Sequence, residues 1–272
     1  MLTRVIPSSH EAIPVVGMGT WQTFDPPSLD ERSLAPLADV MRAFYDAGGR
    51  VIDSSPMYGN SERVTGLVSA RLKVGASLFI ATKVWAQGER AGIRQMETSL
   101  AELERRHVDL MQVHNLVDWR VHLETLRRWK TEGRTRYIGV THYQRSAFDE
   151  LERIMRREHV DFVQVPYSIG MRAAEQRLLP TASETGTAVL VNRPFEEGAL
   201  LRSLSGRAIP DFLAPFASSW AEALLKFIIA HPAVTCVIPA TANARHMAED
   251  VAAGSGRQLD DVTRERLARY VA

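Results

Sequence analysis

Eight short β-branched runs alternate with stretches of helical period along this chain, and that alternation restricts its fold more than any other feature. The runs are VVGMG (15–19), RVIDS (50–54), LFIAT (78–82), DLMQV (109–113), RYIGV (136–140), DFVQV (161–165), TAVLV (187–191) and VTCVI (234–238). Between them, segments such as LADVMRAFYDAG place Val40, Phe44 and Ala47 on one helical face before Gly48 ends the helix. LETLRRWK, FDELERIM and SWAEALLKFIIA repeat the period, and DDVTRERLARYVA reads as a closing helix. Strands separated by helices run parallel, because each crossover helix returns the chain to the end of the sheet where the preceding strand began.

An open doubly wound sheet and a closed barrel both satisfy this order. Eight strands in 272 residues favour the α/β class with a (β/α)8 TIM barrel, which commonly occupies about 250 residues as one unit. The whole chain, 1–272, is therefore expected to form a single barrel domain. The longest stretch of weak pattern, 196–216, follows the seventh run and contains Gly198, Gly206, Pro210 and Pro215, so it reads as a loop serving the site.

Composition excludes several classes of function. A formal net charge of +1 creates no global field for nucleic acid or an anionic membrane, and the arginine clusters RRW and RRE sit among acids as solvated helix faces. The most apolar region, LLKFIIAHPAVTCVIPA, is broken by Lys226, His231 and Pro232 and is not a membrane span. The N-terminus lacks a basic patch followed by an apolar stretch of signal length, so a cytoplasmic location is expected. Cys236, the single cysteine, reads as a buried small hydrophobe, and the histidines outside the strand ends show no metal-ligand spacing. No metal is expected.

In a barrel the chemistry gathers at the C-terminal strand ends. Asp53 closes the second run, Tyr58 follows in SSPMYGN, Lys83 closes the third and His114 the fourth. Taken singly, Asp53 reads as a helix cap, Tyr58 as packing, Lys83 as a solvated charge and His114 as a core histidine. Together they can reduce a carbonyl. Tyrosine is normally too weak an acid near neutrality; an ammonium lowers its pKa, a carboxylate keeps that ammonium charged, and an imidazole orients the carbonyl oxygen.

These residues lie in GMGTWQ, VIDSSPMYGNSERVTG, TKVW, DLMQVHN, RYIGVTHY, DFVQVPYSI and VIPATANARHMAEDVAA, and in this order the chain resembles the aldo-keto reductase family throughout its length. The resemblance implies a catalytic tetrad of Asp53, Tyr58, Lys83 and His114, acting on an aldehyde or ketone by direct hydride transfer with tyrosine as general acid. It also implies NADP(H), with NADPH preferred over NADH, bound without a Rossmann domain. Consistent with that, Gly17 and Gly19 begin a G-x-G pattern that Gln22 interrupts.

By the same resemblance, Gly19, Thr20, Trp21 and Asp53 border the cofactor, and Thr141, His142 and Gln164 bind the nicotinamide. His142 stands where the family usually has asparagine, though neutral imidazole can likewise donate and accept. After the seventh run, Asn192, Arg193 and Pro194 replace the usual stacking aromatic, and Arg193 could cover the ring or reach a phosphate. The adenosine 2′-phosphate falls to Thr241, Asn243 and Arg245, since Ala240 occupies a position that is often lysine. Trp21, Trp85 and Trp119, with Tyr58 and His114, are expected to wall a pocket for an apolar or aromatic carbonyl compound, in a monomeric enzyme. Two other readings fit the fold: a redox sensor that binds NADP(H) with negligible turnover, and a sugar-phosphate isomerase using the loop after the seventh run.

Overall fold

The computed structural model describes residues 1–271. Ten strands and ten α-helices follow one another along them. A hairpin of β1 (Thr3–Val5) and β2 (Ala12–Pro14) comes first, followed by β3 (Met18–Gly19), α1 (Glu31–Asp46), β4 (Val51–Asp53), α2 (Ser61–Arg71), β5 (Phe79–Val84) and α3 (Glu89–Glu102). Next come β6 (Val108–His114), α4 (Trp119–Thr131), β7 (Thr135–Thr141), α5 (Phe148–Glu158), β8 (Phe162–Pro166), α6 (Leu178–Thr185) and β9 (Ala188–Asn192). The chain ends with α7 (Ala199–Ser203), α8 (Trp220–Ile229), β10 (Cys236–Val237), α9 (Ala244–Ala252) and α10 (Asp261–Val271).

Strands β3 to β10 form one eight-stranded sheet in sequential order, every pair parallel. The sheet closes on itself: Val16 bridges Val237, Gly19 bridges Ala240, and the Gly17 and Gly19 amides donate to the Val237 and Pro239 carbonyls at 2.8 Å. This is the TIM barrel expected from the alternation. The seam is tight, since a β-carbon on Gly17 would stand 2.9 Å from the Val51 carbonyl oxygen and 3.0 Å from an Ile238 methyl group.

Pleating sorts the side chains into two cores, because successive residues of a strand point to opposite faces. Val51, Phe79, Ala81, Leu110, Tyr137, Phe162, Ala188, Leu190 and Cys236 fill the barrel interior. Ile52, Ile80, Val84, Met111, Val113, Ile138, Val140, Val163, Val165, Val189 and Val191 instead pack outward against the helices. On five strands the interior column then ends in a polar residue: Asp53 above Val51, Lys83 above Ala81, Gln112 and His114 above Leu110, Gln164 above Phe162, and Asn192 above Leu190.

The N-terminal hairpin was not foreseen from the sequence. Its Ile6 and Ile13 join the interior core, so it stoppers the end of the barrel remote from those polar residues. The first and last barrel strands are shorter than VVGMG and VTCVI predict, at two residues each, because backbone bonds across the seam replace part of the regular ladder. Helix α1 starts earlier than the apolar period suggests, capped by Asp30, whose side chain accepts from the Ser33 amide. Ala47, expected on its buried face, lies past the helix end and is exposed. The stretch 196–216 contains the short α7 rather than loop alone.

Candidate active site

The polar ends of the interior columns open onto a cavity of about 770 Å³. Beneath its wall, Lys83 is wholly buried, and its Nζ donates to Asp53 Oδ2 at 2.6 Å and to the Ser54 carbonyl at 2.7 Å. Burial works against the ammonium, but the Asp53 carboxylate, helped by hydrogen bonding to Asp53 and Tyr58, outweighs it and holds its pKa above the ordinary lysine value. Asp53 Oδ1 accepts from Gln164 Nε2 at 2.8 Å and from Gln112 Nε2 at 3.1 Å, so both carboxylate oxygens have donors.

Tyr58 sits where Gly59 turns the chain at φ 60°, a conformation that favours glycine. A β-carbon on Gly59 would also strike the Asp25 carboxylate, which accepts from the Asn60 amide at 2.8 Å. Ser61 Oγ donates to the Tyr58 carbonyl at 2.6 Å, fixing the turn from the helix side. The phenol ring lies edge-on to His114 with centroids 5.7 Å apart, and Lys83 Nζ stands 5.1 Å from the ring centre.

The sequence led us to expect a lowered Tyr58 pKa, and the structure corrects this. Burial pushes it up, Lys83 pulls it down and Asp53 opposes Lys83, leaving it raised overall. His114 shifts the other way, to about 3, through burial and then the charges of Lys83 and His142. Its imidazole is therefore neutral at ordinary pH. Ser55 Oγ lies 3.1 Å from His114 Nδ1 and itself accepts from the Met57 amide at 3.2 Å. Ser55 Oγ keeps its hydrogen and a second lone pair, so it can serve Nδ1 in either tautomer; in the Nε2–H tautomer its hydroxyl donates to Nδ1.

On the far wall, Thr141 Oγ1 donates to Gln164 Oε1 at 3.2 Å and Asn192 Nδ2 to the same oxygen at 3.4 Å. Arg193 has left-handed φ of 53°, and its guanidinium pairs with Glu197 at 3.0 Å while its buried Nε has no partner among the described residues.

Residues 15–215, about three quarters of the chain, match the model of the aldo/keto reductase family. The chain belongs to that family. Aldo-keto reductases are oxidoreductases, and the relatives share that character. Methylglyoxal reductase YeaE of Escherichia coli (strain K12) is 28% identical over 255 residues, covering 90% of this chain and 87% of the relative. The NADH-specific methylglyoxal reductase of the same strain is 26% identical over 227 residues, covering 72% and 68%. A Klebsiella pneumoniae aldo/keto reductase, solved with NADP and acetate, superposes with a TM-score of 0.83 at 25% identity, covering 100% of this chain and 96% of that one. Bound NADP in that neighbour and NADH specificity in the relative both point to a nicotinamide cofactor for the family.

In this aldo-keto reductase, Gly19, Thr20, Trp21, Asp53, Tyr58, Trp85, His114, Thr141, Gln164, Asn192, Arg193 and Pro194 line the cavity, and Lys83 lies directly behind Asp53. Other expected residues do not line it. Trp119 begins α4 and packs partly buried beneath the Arg120 guanidinium. The His142 ring stacks on Tyr143, and its Nδ1 accepts from the Gln144 amide at 3.0 Å. Asn243 caps α9 by accepting from the Arg245 and His246 amides, Thr241 Oγ1 accepts from the Asn243 amide, and Arg245 is exposed. Of the stretch 196–216, Glu197, Gly198 and Leu201 reach the cavity.

Several lining residues were missed. Met57, Asn115, Tyr143 and Phe195 lie in loops whose sequence gives no period to follow. Gln112 was legible: a polar residue two before His114 in an apolar strand must share its interior face.

Proposed function

We propose that this protein is an NADP(H)-dependent reductase of aldehydes or ketones, with Tyr58 as general acid. The observation that carries the reading is the convergence, at one cavity wall, of a protonated Tyr58, a neutral His114 and a buried ammonium–carboxylate pair, Lys83 and Asp53. The cavity also suits a nicotinamide nucleotide. Its far wall offers the hydroxyl of Thr141, the amides of Gln164 and Asn192, and a buried Arg193 Nε that lacks a partner among the described residues. Thr141, Gln164 and Asn192 would hold the nicotinamide and Arg193 the diphosphate, with Thr241, Asn243 and Arg245 toward the 2′-phosphate.

When bound, the reduced cofactor supplies hydride to the carbonyl carbon. Tyr58 gives its hydroxyl proton to the carbonyl oxygen, and Lys83 stabilises the phenolate that remains. Asp53 keeps Lys83 charged, and the bonds to Asp53 Oδ2 and to the Ser54 carbonyl keep it aimed. His114, held through Nδ1 by Ser55, directs its Nε2 hydrogen at the same carbonyl oxygen. Because His114 is neutral, it orients the substrate without competing with Tyr58 as acid.

Trp21 and Trp85, each 40% exposed, and Met57 and Tyr143 leave large apolar surfaces open at the cavity. Such walls favour an apolar or aromatic carbonyl compound. The test is titration with NADPH and NADH by fluorescence, then turnover of 4-nitrobenzaldehyde by the protein and by Tyr58→Phe. We expect binding in both proteins and a rate loss of at least about 100-fold in the variant. Tight binding without turnover in the unaltered protein would instead favour a cofactor sensor.

A further inference from the structure

Gln112 is fully buried on β6 and touches two residues of the site while remaining outside the cavity lining. Its Nε2 donates to Asp53 Oδ1 at 3.1 Å, and its Oε1 accepts from Gln164 Nε2 at 3.4 Å. Gln164 Nε2 also donates to Asp53 Oδ1 at 2.8 Å, so both hydrogens of that amide are committed inward. Turning the Gln164 amide over would set its carbonyl oxygen against a carboxylate oxygen and against Gln112 Oε1, exchanging two attractions for two repulsions. Gln164 Oε1 is thereby held on the side of Thr141 and Asn192, both of which line the cavity; the Thr141 hydroxyl can rotate away and the Asn192 contact, at 3.4 Å, is long, so a ligand N–H can take a lone pair of that oxygen.

We propose that Gln112 is a positioning residue that fixes the Gln164 amide, so that Gln164 presents only an acceptor to the cavity and selects a ligand carrying an N–H donor there. The proposal rests on the cofactor reading above and extends it: a nicotinamide carboxamide, with its NH2, meets this requirement, whereas an acetyl group of the same shape does not. Asp53 thus has two tasks, holding Lys83 through Oδ2 and orienting the two glutamines through Oδ1.

The test compares binding of NADP+ with binding of its 3-acetylpyridine analogue, which lacks the carboxamide nitrogen, in the unaltered protein and in Gln112→Met. The substitution removes the donor and the acceptor while keeping length and volume. We expect the unaltered protein to favour NADP+ by about tenfold, as for one hydrogen bond in a buried site, and Gln112→Met to lose most of that ratio because the Gln164 amide can turn. A residue that merely supported the fold would weaken both ligands alike, and an unchanged ratio overturns the proposal.

A ligand-free measurement separates this outcome from failure of the cofactor reading. In the unaltered protein, the Gln164 side-chain NH2 should exchange slowly with solvent by NMR, because both hydrogens are bonded. Rapid exchange there refutes the network whether or not a nucleotide binds, and it does not depend on the variant folding. Slow exchange with no binding of either nucleotide leaves the network in place and removes the ligand, which overturns the selectivity we infer and the cofactor reading with it.

Discussion

Lys83 Nζ and Asp53 Oδ2 meet at 2.6 Å with neither side chain open to solvent, so the two charges depend on each other inside the barrel. Removing one partner of such a pair strands the other. Lys83→Met should therefore destabilise the protein by about 3–5 kcal/mol, measured by urea unfolding, and should also abolish turnover. Asp53→Asn together with Lys83→Met should recover much of the stability and none of the activity. Additive losses in the double variant would mean that the pair is not coupled.

The rate of carbonyl reduction should be level across neutral pH. His114, with its pKa near 3, has lost its proton well below neutrality, and Tyr58, with its pKa raised by burial, keeps its own. Activity should then fall only at alkaline pH, above the ordinary tyrosine value of about 10. A profile of kcat/KM with a step between about pH 6 and 7, the range of an unperturbed histidine, would contradict a neutral His114.

Glu62 is a buried carboxyl between β5 and α3, accepting from the hydroxyls of Thr82 and Ser99, and burial pushes its pKa up to about 7. Folding therefore binds a proton that the unfolded chain releases near the ordinary glutamate value of about 4.3. The stabilisation is complete below that value and is lost as pH rises through 7. Glu62→Gln, which cannot ionise, should raise Tm at pH 8 and leave it nearly unchanged at pH 4. An equal shift at both values would point to packing rather than ionisation.

Trp85→Ala and Trp21→Ala remove indoles from the cavity wall without touching Tyr58 or Lys83. Each should raise KM for an aromatic aldehyde about tenfold, the effect of one lost aromatic contact, while KM for methylglyoxal moves little. Equal effects on the two substrates would remove the case for an apolar preference.

Arg245 stands exposed at the start of α9. If it meets the 2′-phosphate, Arg245→Ala should weaken NADPH by about tenfold, as for a charge-assisted contact, and leave NADH unchanged in fluorescence titration. Ala240→Lys should shift the ratio toward NADPH.

The sequence by itself determined the barrel, because pleat and helix periods are local properties written into each segment, and eight of them in this order close in only a few ways. It also put Asp53, Lys83 and His114 at strand ends, since those positions follow from where each apolar run stops. Tertiary structure decided what no local pattern contains. The hairpin stopper, the short seam strands, the outward turn of His142, the removal of Trp119 to the α4 surface and the exposure of Arg245 depend on which segments meet across the barrel. The same holds for the raised Tyr58 pKa. The sequence shows that an ammonium is available to lower it, but only the packed protein shows that loss of water around the phenol is the larger effect.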